Sequence, residues 1–130
     1  MSIIEQYHTL AGQRRFTEGL LLIEQVVQAN PELAKSQFTY GMCLAELGRH
    51  QDAAQAFLQA YKLDPDNDIA LHRGCMELAA AENAPALLEV FRRECAMNPM
   101  MLHTFVDDLK FARFWESPAF KSFREEQEAS

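Results

Sequence analysis

The sequence predicts an all-α protein made of helix pairs that recur every 34 residues. Three columns of similar residues at that spacing lead to this prediction, and the apolar side chains between them follow the period of an amphipathic helix. The columns are Pro31, Pro65 and Pro99; Leu10, Leu44 and Leu78; and the large apolar residues Ile23, Phe57 and Phe91. Such a period is typical of solenoids, in which each helix pair packs on the next.

The middle of the chain shows one pair most clearly. Apolar residues recur at helical spacing within Ser36–Leu47 and again within Asp52–Leu63. Gly48 lies between them and suits the left-handed conformation that ends a helix. Pro65 closes the pair, because proline disfavours helical geometry in the residue before it.

The sequence LDPDND, which joins this pair to the next, contains three carboxylates and raises the question of a metal site. A calcium loop of the EF-hand type that begins at Asp64 would place Ile69 where a glycine makes the sharp turn. It would also place Cys75 where a glutamate closes the site. The sequence therefore predicts no metal or other cofactor, and we expect Asp66 or Asn67 to cap the next helix.

Seven residues of the segment 34–67 carry a family resemblance: Gly41, Leu44, Gly48, Ala53, Phe57, Ala60 and Pro65. At these positions the segment resembles a tetratricopeptide repeat. The small residues allow the two helices to cross closely, and the large ones fill the angle between them. The resemblance implies a right-handed α-α superhelix of three helix pairs.

The flanking segments match this pattern less well. In the first, Tyr7 stands where the family has a small residue and Gly19 where it has alanine. In the third, Cys75 replaces the glycine and Leu87 the alanine. We expect three repeats within residues 1–101, divided as 1–33, 34–67 and 68–101.

Residues 102–130 are predicted to form capping helices and an acidic tail. An apolar stripe over 102–112 indicates one helix, and Ser117 before Pro118 indicates the start of another. Aromatic residues are concentrated here, and their simplest role is to cover the open end of the last repeat. The alternative is an exposed self-association patch formed by Phe111, Phe114 and Trp115. The chain is accordingly expected to be a monomer or a homodimer.

The resemblance also implies a groove lined by the first helix of each repeat, which in this family usually receives a peptide or helix. Transferred to this sequence, the groove residues are Ile4, His8, Lys35, Phe38, Met42, Ile69, His72 and Met76. The set is mostly apolar, which suits an apolar peptide or an amphipathic helix. The family's clamp for acidic chaperone tails is not expected, because Lys35 is its only retained cation.

The charge of the chain excludes other classes of partner. The net charge is -7, with 12 Lys and Arg against 19 Asp and Glu, and it would repel a nucleic-acid backbone. Glu5 interrupts the apolar run that a secretory signal would need, and no later stretch has the 18 or so apolar residues of a membrane span. We expect a cytoplasmic protein with neither nucleic-acid nor membrane partners.

The sequence offers little chemistry for catalysis. It has no glycine-rich phosphate loop and no G-x-S-x-G motif, and its four histidines lack metal-ligand spacing: His8, His50, His72 and His103. Three cysteines fall within apolar helical patterns and are expected to be buried and unreactive: Cys43, Cys75 and Cys95. His72 and Cys75 could meet on one helix face, but a buried thiol is a poor nucleophile.

The sequence therefore predicts a non-catalytic protein-binding module. Two narrower roles remain open at this stage. The chain resembles the small acidic chaperones that hold hydrophobic translocators in bacterial type III secretion, although their longer N-terminal arm is absent. It could also be a scaffold that assembles with itself. An enzyme or thiol-redox role has the least support.

Overall fold

The computed structural model describes residues 2–98 and 111–129, in which α-helices are joined by short turns. The prediction of an all-α protein is confirmed there, since the described residues contain no strand. In chain order the helices are α1 (Ile3–Gly12), α2 (Phe16–Ala29), α3 (Ala34–Glu46), α4 (His50–Leu63), α5 (Asp68–Ala80), α6 (Ala84–Met97), α7 (Ala112–Trp115) and α8 (Pro118–Glu128).

The helix boundaries repeat the period seen in the sequence. The bounds of α5 lie 34 residues after those of α3, and α2, α4 and α6 begin at 16, 50 and 84. The predicted helices Ser36–Leu47 and Asp52–Leu63 were correct to within two residues. Most of the helix predicted over 102–112, together with Pro99, lies outside the described residues.

The joints that precede the prolines share one backbone conformation. The residues that end α2, α4 and α6 have φ and ψ of -149° and 81° at Asn30, -138° and 85° at Asp64, and -145° and 87° at Asn98. Each directly precedes a proline in the sequence, and proline pushes its predecessor out of the helical region. The column of prolines therefore ends three helices in the same way.

The chain divides into two compact units, Met1–Glu77 and Leu78–Ser130. In the first unit α1 packs on α2, α2 on α3, and α3 on α4. Two buried clusters fill this stack: Leu44, Ala53, Ala56 and Phe57 between α3 and α4, and Tyr7, Ile23 and Cys43 across α1, α2 and α3. The division into repeats at 1–33, 34–67 and 68–101 stays a prediction.

Glycines allow the closest helix approaches in the first unit. A Cβ atom added to Gly41 would lie 2.9 Å from a ring carbon of Phe57, and one added to Gly74 would lie 2.8 Å from Leu58. In the first pair the sizes are reversed, because the ring of Tyr7 on α1 lies against Gly19 on α2. The two residues that depart from the family pattern thus compensate for each other in volume.

The second unit has an aromatic core. Phe91 on α6 contacts the rings of Phe111, Phe120 and Phe123, with centroid separations of 6.0, 5.6 and 6.3 Å. α8 begins at Pro118, as its start signal predicted, and the Ser117 hydroxyl donates to the Phe114 carbonyl at 2.6 Å.

The alternative interpretation, an exposed self-association patch, is wrong for Phe111 and Phe114. The exposed fraction is 1% for Phe111 and 8% for Phe114, because both rings belong to this aromatic core. Helical periodicity could not reveal this burial, since it does not show which face a later helix covers. Trp115 is half-buried, with its ring edge-on to Phe123 at 6.4 Å.

We expect Gly41→Ala to lower the free energy of unfolding by about 1–3 kcal/mol, because the new methyl group overpacks the contact with Phe57. Gly12→Ala is the matched control, since an added Cβ at Gly12 would meet nothing within 4 Å. Both variants would be measured by chemical denaturation. Equal stability of the two variants would show that the α3–α4 crossing is not tight at Gly41.

The turns within the helix pairs also recur, with a positive φ at Arg14 (59°), Gly48 (76°) and Glu82 (57°). The left-handed conformation predicted for Gly48 is confirmed. Arg14 and Glu82 adopt the same conformation although their Cβ atoms make it unfavourable. All three turns therefore share a left-handed residue, but only Gly48 is of a type that favours this conformation.

We expect Arg14→Gly to raise the free energy of unfolding by about 0.5 kcal/mol, since relief of left-handed strain exceeds the entropy that glycine gains on unfolding. Loss of the Arg14 to Glu46 ion pair, which is 3.9 Å long and well exposed, should lower stability only slightly.

Gly48→Ala should lower the free energy of unfolding by about 1 kcal/mol, although no atom lies within 4 Å of the new Cβ. A stabilising Gly48→Ala would contradict this account.

Candidate functional site

A groove of about 460 Å³ lies on the first unit, between α1, the start of α3 and the joint before α5. It gathers four of the eight predicted groove residues: Ile4, His8, Lys35 and Phe38. The remaining lining residues were not predicted: Leu33, Ala34, Ser36, Thr39, Asp64 and Asn67. The groove thus combines apolar side chains from α1 and the start of α3 with a polar wall from the joint before α5.

The core of the unit holds Phe38 in place in this groove. Its half-buried ring packs edge-on against Phe57, with the centroids 5.3 Å apart. The guanidinium carbon of Arg73 lies 5.9 Å from the centre of the same ring. Phe38 is therefore held by the core on one side and contacted by a cation on the other, and it is only partly accessible to a ligand.

The rim of the groove is the first turn of α3. Leu33 is the residue before this helix, it is 46% exposed, and it supplies no side-chain cap. Gln37, which is buried, donates from Nε2 to the Pro31 carbonyl at 3.0 Å and ties α3 to the preceding joint. An apolar residue thus occupies a position where serine or aspartate is usual.

The polar wall is the joint between α4 and α5. The Asn67 side-chain oxygen accepts from the Ala70 amide at 3.2 Å, so the predicted cap of α5 is confirmed at Asn67. Asp64 accepts from the Asp66 amide at 3.3 Å. Across residues 2–98 and 111–129 no group of three or more His, Cys, Asp or Glu side chains could hold a metal ion. One side chain of this joint thus caps α5, and another, Asp64, accepts a backbone amide within the joint.

The other four predicted groove residues do not line this groove, although all eight are at least partly accessible. Met42 on α3 is 39% exposed and Ile69 on α5 is 62% exposed. His72 and Met76, also on α5, are half-buried. Their assignment to a partner-binding surface stays a prediction.

The three cysteines are buried, as the sequence predicted. Burial raises the pKa of the Cys43 and Cys95 thiols above its ordinary value. The Cys43 thiol donates to the Phe16 carbonyl at 3.3 Å, and burial also raises the pKa of the neighbouring Tyr7 phenol. These thiols stay protonated near neutral pH, and a protonated thiol is a weak nucleophile.

The histidines are dispersed in the described part of the chain. His8 lines the groove and is exposed, whereas Nδ1 of His50 lies 2.6 Å from a carboxylate oxygen of Glu77. This contact joins the start of α4 to α5 within the first unit. His103 lies outside the described residues.

The recurring helix pairs, the equivalent joints and the groove at the start of α3 define an α-helical repeat protein. The tetratricopeptide repeat family model matches residues 6–68, from within α1 to the first residue of α5. This segment belongs to that family. Repeats of this family generally mediate protein–protein interactions.

Comparisons with curated proteins and with solved structures gave no match. None of the described helices combines the length and apolar character needed to cross a membrane.

We expect the free energy of unfolding to fall as the pH rises above 9.0, the ordinary thiol pKa. Above that pH the thiols ionise in the unfolded chain but stay protonated in the folded one, so unfolding is favoured. Each such thiol contributes a slope of up to about 1.4 kcal/mol per pH unit until its folded pKa is reached. Denaturation of wild type and Cys43→Ala from pH 7 to 10.5 would measure this. Equal slopes would show that Cys43 is not the group involved.

Proposed function

We propose that the chain is a non-catalytic protein-interaction module that binds an apolar peptide or an amphipathic helix in the groove of the first unit. The observation that carries the proposal is the convergence of Ile4, Leu33 and Phe38 on one open groove at the start of α3. These side chains come from different segments of the chain, and folding places them around the same space.

The lining favours a peptide over a small polar ligand. Leu33 and Ile4 offer apolar surface, and covering it releases about 25 cal/mol for each Å² removed from water. Ser36, Thr39 and Asn67 add hydroxyl and amide groups that can hydrogen-bond to the backbone of a guest. An amphipathic guest satisfies both parts of the lining.

The burial of the three cysteines supports the non-catalytic part of this proposal. Cys43, Cys75 and Cys95 are buried, and the raised pKa values of Cys43 and Cys95 keep those thiols protonated. The module therefore acts by holding a partner, as tetratricopeptide repeats generally do.

The binding surface in this proposal continues beyond the groove along α3 and α5. Met42, Ile69, His72 and Met76 keep part of their surface accessible on these helices. A long guest would cover them, whereas a short one would fill only the groove. A chaperone for a hydrophobic secreted protein is one narrower form of this function, in a cytoplasmic protein that is a monomer or a homodimer.

Leu33→Ser is expected to weaken guest binding roughly fivefold, since it removes the exposed half of a leucine side chain from the groove. The same change should keep or raise stability by about 0.5–1 kcal/mol, because serine can cap α3 where leucine cannot. Affinity would be measured by calorimetry with an amphipathic peptide of leucine, alanine and lysine. The peptide would be about 18 residues long, which is enough to form a helix.

Leu21→Ser is the matched control for this experiment. Leu21 lies on α2, is 62% exposed and does not line the groove. The proposal predicts unchanged affinity for this variant. A loss of affinity for Leu21→Ser but not for Leu33→Ser would place binding on another face and contradict the proposal.

A further inference from the structure

Four carboxylates belong to the lining of the groove of the first unit or stand directly beside a lining residue in the sequence. Asp64 lines the groove, Asp66 and Asp68 flank the lining residue Asn67, and Glu32 precedes Leu33 on the rim. All four carboxylates are exposed, and none forms an ion pair with another described residue. They are therefore available to a ligand.

The arginines at the ends of the neighbouring helices are already paired. Arg14 faces Glu46 at 3.9 Å, Arg15 binds Glu18, and Arg49 binds Asp52 at 2.8 Å. These three arginines pair with carboxylates of their own and do not neutralise the four carboxylates at the groove.

Two cations do lie at the groove, and they do not cancel its charge. Lys35 lines it, and Arg73 lies over the ring of Phe38. Together they balance two of these four carboxylates. The net charge of -7 adds a negative field around the whole chain.

We propose that the occupant of this groove is a positively charged amphipathic segment, an inference that rests on the proposed function. Its apolar side chains pack against Ile4, Leu33 and Phe38. A lysine or arginine beside them pairs with Asp64 and its neighbouring carboxylates. A guest with acidic residues at the same places meets uncompensated like charge and is rejected.

The charge acts at two distances. At long range the negative field raises the rate at which a cationic segment meets the protein, and salt screens this effect. At short range each exposed ion pair adds a modest contribution to affinity. Binding should therefore combine a salt-insensitive apolar part with a salt-sensitive electrostatic part.

The test compares two amphipathic peptides that share one apolar face of leucines and differ only in carrying lysine or glutamate on the other. The proposal predicts that the lysine peptide binds on the order of tenfold more tightly at low salt, and that the difference shrinks as salt is added. Equal affinities, or tighter binding of the glutamate peptide, would overturn the charge proposal and leave the apolar groove standing. No binding of either peptide would overturn both proposals.

The variant Asp64→Asn tests whether the preference for the lysine peptide depends on the Asp64 carboxylate. The variant keeps the side-chain oxygen that accepts from the Asp66 amide, so it removes charge without removing that hydrogen bond. Its affinity for the lysine peptide should fall about two- to fivefold, as expected for one exposed ion pair. Its affinity for the glutamate peptide should rise.

Glu46→Gln is the matched control, since it removes the same charge from the same unit. Glu46 lies at the other end of α3, roughly 16 Å from Lys35 along the helix axis. This variant should change affinity less than twofold. An equal loss in both variants would show that only net charge matters, and it would overturn the assignment of the cation to the joint before α5.

Discussion

The close crossing of α3 and α4 at Gly41 is the contact on which the first unit depends. Because Gly41 has no side chain, the ring of Phe57 can lie against the backbone of α3, where any Cβ atom would intrude. Phe57 in turn supports Phe38 through an edge-on ring contact of 5.3 Å. Gly41 thus positions Phe57 in the buried core, and Phe57 positions Phe38 in the groove. The groove therefore borders directly on the core. Its shape follows from the same packing that stabilises the helix pair.

The repeat is kept in the backbone more faithfully than in the side chains. The turns at 14, 48 and 82 share a left-handed residue, yet their side chains are arginine, glycine and glutamate. The start of the following helix is supported in two ways. Arg15 and Arg49, which precede α2 and α4, bind Glu18 and Asp52 in the first turns of those helices, whereas the Asn83 side chain before α6 accepts from the Ala86 amide. The first amides of each helix need hydrogen-bond partners or a stabilising charge nearby, and different kinds of side chain supply them.

The features that follow helical or repeat periodicity could be predicted from the sequence. Buried Leu44 and Phe57, the Gly48 turn and the helix boundaries are of this kind. Leu33, Asp64 and Asn67 could not be recognised as groove residues, because they lie in joints where the helical period is interrupted and polar residues indicate only a turn. The left-handed conformation of Arg14 and Glu82 could not be predicted from the sequence, since neither residue type favours it. The sequence left open whether Phe111 and Phe114 are buried or exposed, because their burial depends on packing against Phe91 and α8 and not on the period of their own helix.

The missing side-chain cap at the start of α3 has a consequence for how the groove behaves. The first amide groups of a helix lack partners within it, and Leu33 offers them none. The turn that carries Lys35 and Ser36 is therefore prone to local opening, and its amide protons should exchange with solvent more readily than those in the middle of the helix. A guest whose carbonyl groups reach these amides would close that turn while it fills the groove. Under the proposed function, binding of a guest and opening of this turn would be coupled, and a bound guest would make the start of α3 more rigid.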